Sequence, residues 1–157
     1  SVKGYEVSWR QSFFFLPAWA RGLSTFVNAT VAESGGPNAA DFTPFAHKNI
    51  NWGLSYNRGP FSFRFNTAFA YRVTGALNAA SATIPAGTCS YVAPQITQDW
   101  SFDYRVSNRF TLYGGARNWN GANKRTERFG PGAQPWTRPQ VFQNFGTLVT
   151  FGLRTQF

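Results

Sequence analysis

The chain has 157 residues and a net charge of +9, and 18% of its residues are aromatic whereas only 13% are charged. Soluble domains usually carry about 25% charged residues, so this composition argues against an ordinary water-soluble protein. The mean hydropathy is -0.31, and there is no run of about 18 or more apolar residues, which excludes a transmembrane helix. The single cysteine, Cys89, excludes an internal disulfide and a multi-cysteine metal site.

Seven segments alternate between apolar and polar residues, which indicates β-strands with two unlike faces. Each segment spans roughly ten or more residues, the length that a tilted strand needs to cross a bilayer. Apolar residues spread by alternation are typical of a membrane-spanning β-barrel. In chain order, the predicted strands cover Tyr5 to Phe15, Leu23 to Val31, Ile50 to Tyr56, Phe61 to Val73, Ile96 to Val106, a weaker glycine-bearing segment from Phe110 to Trp119, and Val141 to Phe157.

The connections between these strands alternate in length. Three are short turns, and the other three are long and rich in Gly, Pro, Asn and Ser, which predicts loops. Bacterial outer-membrane barrels have short periplasmic turns and long extracellular loops, so we expect an extracellular position for the long connections and a periplasmic C-terminus. The short turns lie around Pro17, at Asn57 to Pro60 and at Ser107 to Arg109, and the long connections run from Ser34 to Phe45, Gly75 to Tyr91 and Asn120 to Gln140.

The predicted fold is therefore an all-β, antiparallel transmembrane β-barrel. A soluble β-sandwich with one buried face is the alternative, but exposed faces of soluble sheets favour Lys and Glu, and lysine occurs here only at Lys3, Lys48 and Lys124. Seven strands is an odd number, while single-chain bacterial barrels are even. An open sheet in lipid would leave unpaired edges that cost several kcal/mol per group. We therefore expect the chain to be incomplete, either a small barrel lacking one strand or the tail of a larger one.

Several stretches resemble a known family in their order and spacing. Val2 to Gln11 is similar to a strand of TonB-dependent receptors, Leu16 to Thr30 looks like the turn and strand that follow it, and Phe102 to Tyr113 resembles the penultimate hairpin. The last strand, with Phe151, Leu153 and the terminal Phe157, resembles the assembly signal of outer-membrane barrels.

This resemblance implies a 22-strand barrel with a plug domain, of which residues 1–157 would supply the last seven strands. It implies a receptor in the bacterial cell outer membrane for active uptake of a large scarce nutrient: a siderophore, cobalamin or an oligosaccharide. Its implied partners are outer-membrane lipid and lipopolysaccharide, its own plug domain, the TonB system acting through the missing N-terminal part, and the barrel-assembly machinery. The alternative is a small porin-like or structural outer-membrane barrel without TonB coupling. No cofactor and no enzymatic activity are expected.

Charged residues on the predicted polar faces are candidates for ion pairs with each other and with the plug, because unpaired charge in a confined interior is costly. The spacing of Asp99 and Asp103 would also suit an acid–base pair, but ion pairing is the simpler interpretation. The candidate ion-pairing residues are Glu6, Arg10, Arg64, Arg72, Asp99, Asp103 and Arg105.

The last long connection is basic and could contact either an anionic ligand or lipopolysaccharide phosphates, of which we favour the second. Lys124, Arg125 and Arg128 are the candidate contacts there, with Arg138 nearby. Among the aromatic residues, Trp119 and Trp136 lie in or beside loops and are the candidates for ligand stacking. The basic residues are otherwise scattered singly, so no nucleic-acid partner is expected. The only histidine, His47, would matter catalytically only if a carboxylate or nucleophile lay beside it, and an outer-membrane enzyme is therefore a minor alternative.

Overall fold

The computed structural model describes residues 2–34, 47–81, 84, 86–130 and 138–156, and every regular element in these ranges is a β-strand in an antiparallel pair. No helix in these ranges has the length and apolarity needed to cross a membrane. The strands are β1 (Val2–Ser12), β2 (Leu23–Ser34), β3 (Lys48–Arg58), β4 (Phe61–Ala70), β5 (Val73–Leu77), β6 (Cys89–Val92), β7 (Gln95–Arg105), β8 (Phe110–Arg117), β9 (Lys124–Phe129), β10 (Pro139–Gln143) and β11 (Leu148–Thr155).

Seven of the strands form one antiparallel sheet in the order β1-β2-β3-β4-β7-β8-β11. These strands correspond in chain order to the seven predicted from alternation, so the number and sequence of strands in this sheet are confirmed. The predicted extent of the last strand is wrong. Val141 belongs to β10, Gly146 has a φ of +65°, and β11 begins only at Leu148.

The register keeps like residues on the same face across all seven strands. Residues directly opposite each other in an antiparallel pair project to the same side, so a single row can be followed through the sheet. One apolar-face row is Gln11, Thr25, Leu54, Phe65, Trp100, Ala116 and Val149. The neighbouring polar-face row is Ser12, Ser24, Ser55, Arg64, Ser101, Gly115 and Thr150. The predicted division into an apolar and a polar face is thereby confirmed.

The apolar face is not packed into a core: its large side chains are exposed in the edge strands and half-buried in β4. Val7 is 58% exposed and Phe151 is 65% exposed, at the two ends of the sheet. The buried apolar side chains among the described residues are all alanines: Ala20, Ala32, Ala93 and Ala116. A soluble domain of this size normally buries many large apolar side chains, so this face requires a covering that the described residues do not supply.

The short connections are tight turns at one end of the sheet. Gly59 has a φ of +54°, and Pro60, whose ring fixes a negative φ, follows it. That combination is the type II′ hairpin turn, which favours glycine at its first central position. Backbone hydrogen bonds also hold the other two short turns against neighbouring strands. Asn57 N donates to Gly22 O, and Gln156 N donates to Arg109 O, both at 2.9 Å.

A second, four-stranded sheet has the order β10-β9-β6-β5. In the chain, β5 follows β4, β6 precedes β7, β9 follows β8, and β10 precedes β11. The strands of this sheet therefore lie side by side in the same order as the strands of the seven-stranded sheet to which they connect. The segments Gly75 to Tyr91 and Asn120 to Gln140 were predicted as loops, and this is wrong for the parts that form β5, β6, β9 and β10. We call this sheet the strand extension. The third long connection, residues 35–46, lies outside the described residues.

Candidate functional site: polar wall and strand extension

The polar face of the seven-stranded sheet collects most of the charged residues singled out from the sequence. Glu6, Arg10, Arg64, Asp99, Asp103 and Arg105 all occupy polar-face positions in β1, β4 and β7. Arg72 lies between β4 and β5, outside any strand. The sequence therefore places six of the seven on one wall, as alternation requires.

The predicted pairing of these charges with one another is not found. The one ion pair among the described residues joins Arg125 Nε to Glu127 Oε1 at 4.0 Å, and it belongs to the strand extension. Asp99 has a different role, because its Oδ1 accepts the backbone N–H of Asn118 at 2.8 Å. Pairing of these charges with a plug stays a prediction.

We call the polar face of the seven-stranded sheet the polar wall. Arg10 and Arg64 line one depression on it, with a volume of about 520 Å³. Its floor is the Phe26 ring, which lies where a side chain at Gly53 would otherwise stand. The Ser24 and Ser55 hydroxyls in its lining form a hydrogen bond with each other at 2.7 Å. The lining contains two guanidinium groups and no carboxylate, so among the described residues this is a cationic, hydroxyl-rich concavity.

The boundary between the two sheets is built around Asn118, which has a φ of +53°. Asparagine is one of the few residues with a side chain that enter this left-handed region readily. The Asn118 Nδ2 donates to Ala122 O at 3.1 Å and to Gly146 O at 2.8 Å, and its Oδ1 accepts from Ala122 N at 2.8 Å. One amide thus joins the start of the extension to the segment that leads into β11.

Asn120 completes this boundary by imitating a peptide group. Its Oδ1 accepts the N–H of Gln98 at 3.1 Å, while its Nδ2 donates to Ile96 O at 2.8 Å. The Trp119 N–H also donates to Gln98 O at 2.7 Å. The backbone groups of β7 are therefore satisfied where β8 leaves the ladder, as buried or enclosed backbone groups require.

The predicted ligand contacts Lys124, Arg125 and Arg128 lie in β9, so they are held on a strand rather than on a loop. Arg125 is on the same face of β9 as Glu127, whereas Lys124 and Arg128 point to the opposite side. With its amide oriented to suit its neighbours, Gln140 accepts from Arg128 Nη2 and donates to Ser90 Oγ, both at 2.8 Å. The three cations therefore do not form one site.

Tyr91 is the centre of the contacts on the Glu127 face. Its hydroxyl donates to Glu127 Oε2 at 2.6 Å, and the Arg72 guanidinium lies 4.5 Å from its ring centroid. The hydrogen bond to Glu127, followed by desolvation, raises the pKa of Tyr91 above its ordinary value of 10.0. Because the neutral phenol is the donor, this bond contributes below pH 10.0 and is lost as the pH rises through the raised pKa.

We expect Tyr91→Phe to loosen the strand extension without affecting the seven-stranded sheet. A hydrogen bond to a charged group contributes roughly 1.5–3 kcal/mol, and partial exposure reduces this to about 1 kcal/mol, or about five-fold faster amide exchange in β6 and β9. The measurement is site-resolved hydrogen exchange at neutral pH. Tyr104→Phe, which removes a hydroxyl from the main sheet, is the control. Equal exchange in wild type and Tyr91→Phe would show that this contact does not hold the hairpins together.

Trp119, a predicted ligand-stacking residue, lies beside another tryptophan, and its ligand role stays a prediction. Its ring meets Trp100 edge to face at a centroid distance of 5.9 Å, and Trp100 lies on the apolar face. Trp119 is 57% exposed, so it extends the apolar surface at the long-connection end. Trp136 lies outside the described residues.

Of the three residues compared with an assembly signal, Phe151 and Leu153 occupy the apolar face of β11, opposite Gly114 and Leu112. Phe157 lies outside the described residues. His47 directly precedes β3, and its Nδ1 is 3.1 Å from Ala32 O. Among the described residues, no group of His, Cys, Asp and Glu is arranged to hold a metal ion.

Comparison with known proteins gives no relative: no family model, curated protein or solved structure matches the chain. Function must therefore be argued from the two faces of the sheet and from the strand extension.

Proposed function

We propose that the chain is a section of a transmembrane β-barrel in the bacterial outer membrane. The observation that carries this proposal is the apolar face, which has no charged residue from Tyr5 in β1 through to Val149 in β11 except at strand ends. The apolar-face residues of β4, from Phe61 to Phe69, are all uncharged. At ~3.3 Å per residue they span about 26 Å, close to the ~25 Å apolar band of outer-membrane barrels.

Two polar side chains of the apolar face have their donors satisfied within the sheet, as a hydrocarbon environment requires. The Trp52 indole N–H donates to Thr25 Oγ1 at 3.1 Å, and Thr25 Oγ1 donates to Gly53 O at 2.8 Å. Both donors are satisfied within the sheet, which matters where no water is available. Charged residues in apolar-face register, such as Lys3 and Arg58, stand only near the two ends of the strands.

In lipid, the outer edges of β1 and β11 would carry unpaired backbone groups. The proposal therefore includes further strands that pair with both edges and close the barrel around the polar wall. In such a barrel, the short turns face the periplasm and the strand extension stands outside the cell.

We propose further that the parent protein is a TonB-dependent receptor for a large scarce nutrient. The segments that resemble that family support it, as do a polar wall suited to a hydrated interior and strands that continue well beyond the membrane band. The cationic concavity at Arg10 and Arg64 would then face the barrel interior.

Sidedness can be tested with two neighbouring positions at the same depth. In a Cys89→Ser background of the full protein in vesicles, Phe65→Cys and Asn66→Cys would each be labelled with a small fluorophore. We expect lipid-borne nitroxide to quench the label at position 65 and aqueous iodide to quench the label at position 66. Equal access to both quenchers at both positions would overturn the membrane assignment.

Energy coupling needs a separate test in cells. Uptake of candidate siderophores, cobalamin and oligosaccharides should require both this protein and an intact TonB, with surface levels of the barrel unchanged when TonB is removed. Uptake that persists without TonB, or steady ion conductance of the purified protein, would instead indicate a porin-like barrel.

A further inference from the structure

The turn that separates the two sheets contains an Asn-Gly sequence, Asn120 followed by Gly121, which occurs nowhere else in the chain. An asparagine followed by glycine is especially prone to lose its amide, because glycine has no side chain to hinder attack by its own backbone nitrogen. Asn120 is exposed, Gly121 has a φ of +61°, and a side chain placed at Gly121 would meet nothing within 4 Å. The susceptible sequence therefore stands in an open turn that water can reach.

In the folded chain, both reacting groups are held by other partners. The Asn120 carboxamide lies against the backbone of β7, where its Oδ1 accepts the Gln98 N–H at 3.1 Å and its Nδ2 donates to Ile96 O at 2.8 Å. The Gly121 N–H donates to Asn118 O at 2.9 Å. These hydrogen bonds must be released before the Gly121 nitrogen can lose its proton and reach the side-chain carbonyl carbon of Asn120.

From this arrangement we propose that Asn120 is a site of spontaneous deamidation whose rate is set by opening of the boundary between the two sheets. The deprotonated Gly121 nitrogen attacks Asn120 Cγ, and the new C–N bond closes a succinimide ring as the side-chain nitrogen leaves as ammonia. Water then opens the ring at either carbonyl, which gives aspartate or isoaspartate. In sum one water is consumed and one ammonia is released, with no oxidant, reductant or enzyme.

The product should weaken the boundary that protected the asparagine. A carboxylate at position 120 has no N–H to donate to Ile96 O, and it would stand against that carbonyl oxygen. An enclosed carbonyl without its donor is destabilising. Isoaspartate also carries the main chain through the side-chain carbon, which lengthens the backbone and displaces the Gly121 N–H from Asn118 O. Deamidation would thus make loosening of the strand extension permanent.

The first test compares folded and unfolded protein. The full protein in vesicles is aged at mildly alkaline pH, and loss of the Asn120 amide is followed by peptide mapping with mass spectrometry. The same chain unfolded in urea gives the unprotected rate. The folded wild type should deamidate at least about 10-fold more slowly, because the reaction needs an opened boundary. Equal rates in the two states would overturn control by the boundary, and an intact Asn120 in the unfolded chain would overturn the site itself.

The second test opens the boundary by mutation. Asn118→Ala removes side-chain hydrogen bonds that hold the turn, so it should raise the rate at Asn120 in the folded protein by about 10-fold or more. Asn118→Gly, which accepts the positive φ, should give an intermediate rate. Asn51→Ala, in the regular part of the polar wall, should leave the rate unchanged. If both variants at position 118 deamidated as slowly as wild type does, opening of the boundary would not govern the reaction.

The third test isolates the consequence of the modification. Asn120→Asp supplies the product directly and should make amide exchange in β9 about 10-fold faster, because a hydrogen bond is replaced by repulsion. Asn120→Gln keeps an amide but would have to close a larger ring, so it should not lose the amide on ageing. Exchange in β9 equal to wild type in Asn120→Asp would overturn the loosening of the extension.

The deamidation site does not depend on the proposed function. Its chemistry requires only the turn at the boundary, whereas the labels at positions 65 and 66 test which face meets lipid. A wrong membrane assignment would therefore leave the rates at Asn120 as expected, and unchanged rates in the variants at position 118 would leave the membrane assignment intact.

Discussion

Phe65→Arg is expected to prevent stable insertion of the barrel into a bilayer. Phe65 stands in the middle of the apolar face, opposite Leu54 and Trp100, and its ring meets Trp52 at a centroid distance of 6.0 Å. An arginine at a lipid-facing position near the bilayer midplane costs about 2–4 kcal/mol, and loss of the aromatic contact adds to that. The measurement is reversible unfolding from vesicles in urea, together with the amount of protein in the outer membrane.

Two matched variants separate charge in lipid from other effects of that substitution. Ala68→Arg introduces the same side chain three residues away on the polar wall, opposite Asn51 and Thr97, and should change the free energy of unfolding by under about 1 kcal/mol. Phe65→Leu removes the ring but keeps an apolar side chain, so it should insert. If the two arginine variants were equally stable, the apolar face would not be the face that meets lipid.

Alternation was sufficient to predict the seven-stranded sheet because each strand has one apolar face, and a register slip of one residue would reverse that face. Phe61 to Phe69, with a phenylalanine or threonine at every second position, is the clearest case. The same logic failed at Val141 to Thr147. The alternation there continues into β11, but the positive φ of Gly146 and the pairing of β10 with β9 interrupt the strand.

The strand extension was missed because its strands are short and its composition is that of a loop. Cys89–Val92 offers only four residues, and Val73–Leu77 contains a glycine. The two halves of this sheet are joined by the pairing of β6 with β9, whose partner residues are about 35 positions apart in the chain. No local sequence pattern reveals such long-range pairing. The Asn-Trp-Asn-Gly run at 118–121 is the one local signal that could have located the boundary.

The contacts of the candidate site residues could not be predicted for a related reason. Sequence alternation shows which face a charge occupies but not which partner it finds. Asp99 was expected to pair with other charges of the interior or of a plug, and in the structure its Oδ1 accepts the Asn118 N–H, a contact that alternation does not reveal. Trp119, whose ligand role stays a prediction, contacts Trp100, and no sequence pattern indicated that contact. Both outcomes follow from the left-handed turn at Asn118, whose geometry depends on partners from three separate segments.

That turn leads to the second large expected effect: Asn118→Ala should detach the strand extension from the end of the seven-stranded sheet. The variant loses three side-chain hydrogen bonds, each contributing about 1 kcal/mol, and places alanine at a φ of +53° at a cost of roughly 1–2 kcal/mol. A total of about 4–5 kcal/mol is enough to make amide exchange in β9 roughly 1,000-fold faster. Site-resolved hydrogen exchange of the full protein measures this directly.

Asn118→Gly separates the two contributions, because glycine accepts the positive φ but supplies no amide. It should lie between wild type and Asn118→Ala, with exchange in β9 roughly 100-fold faster than wild type because the three hydrogen bonds are still lost. Asn51→Ala, in the regular part of the polar wall, should leave β9 unchanged. If the extension is where a nutrient is first captured, Asn118→Ala should also weaken nutrient binding while β1 to β4 keep their wild-type protection. Coordinated loss of protection in both sheets would show instead that the extension and the seven-stranded sheet unfold as one unit, and that Asn118 is not a boundary between them.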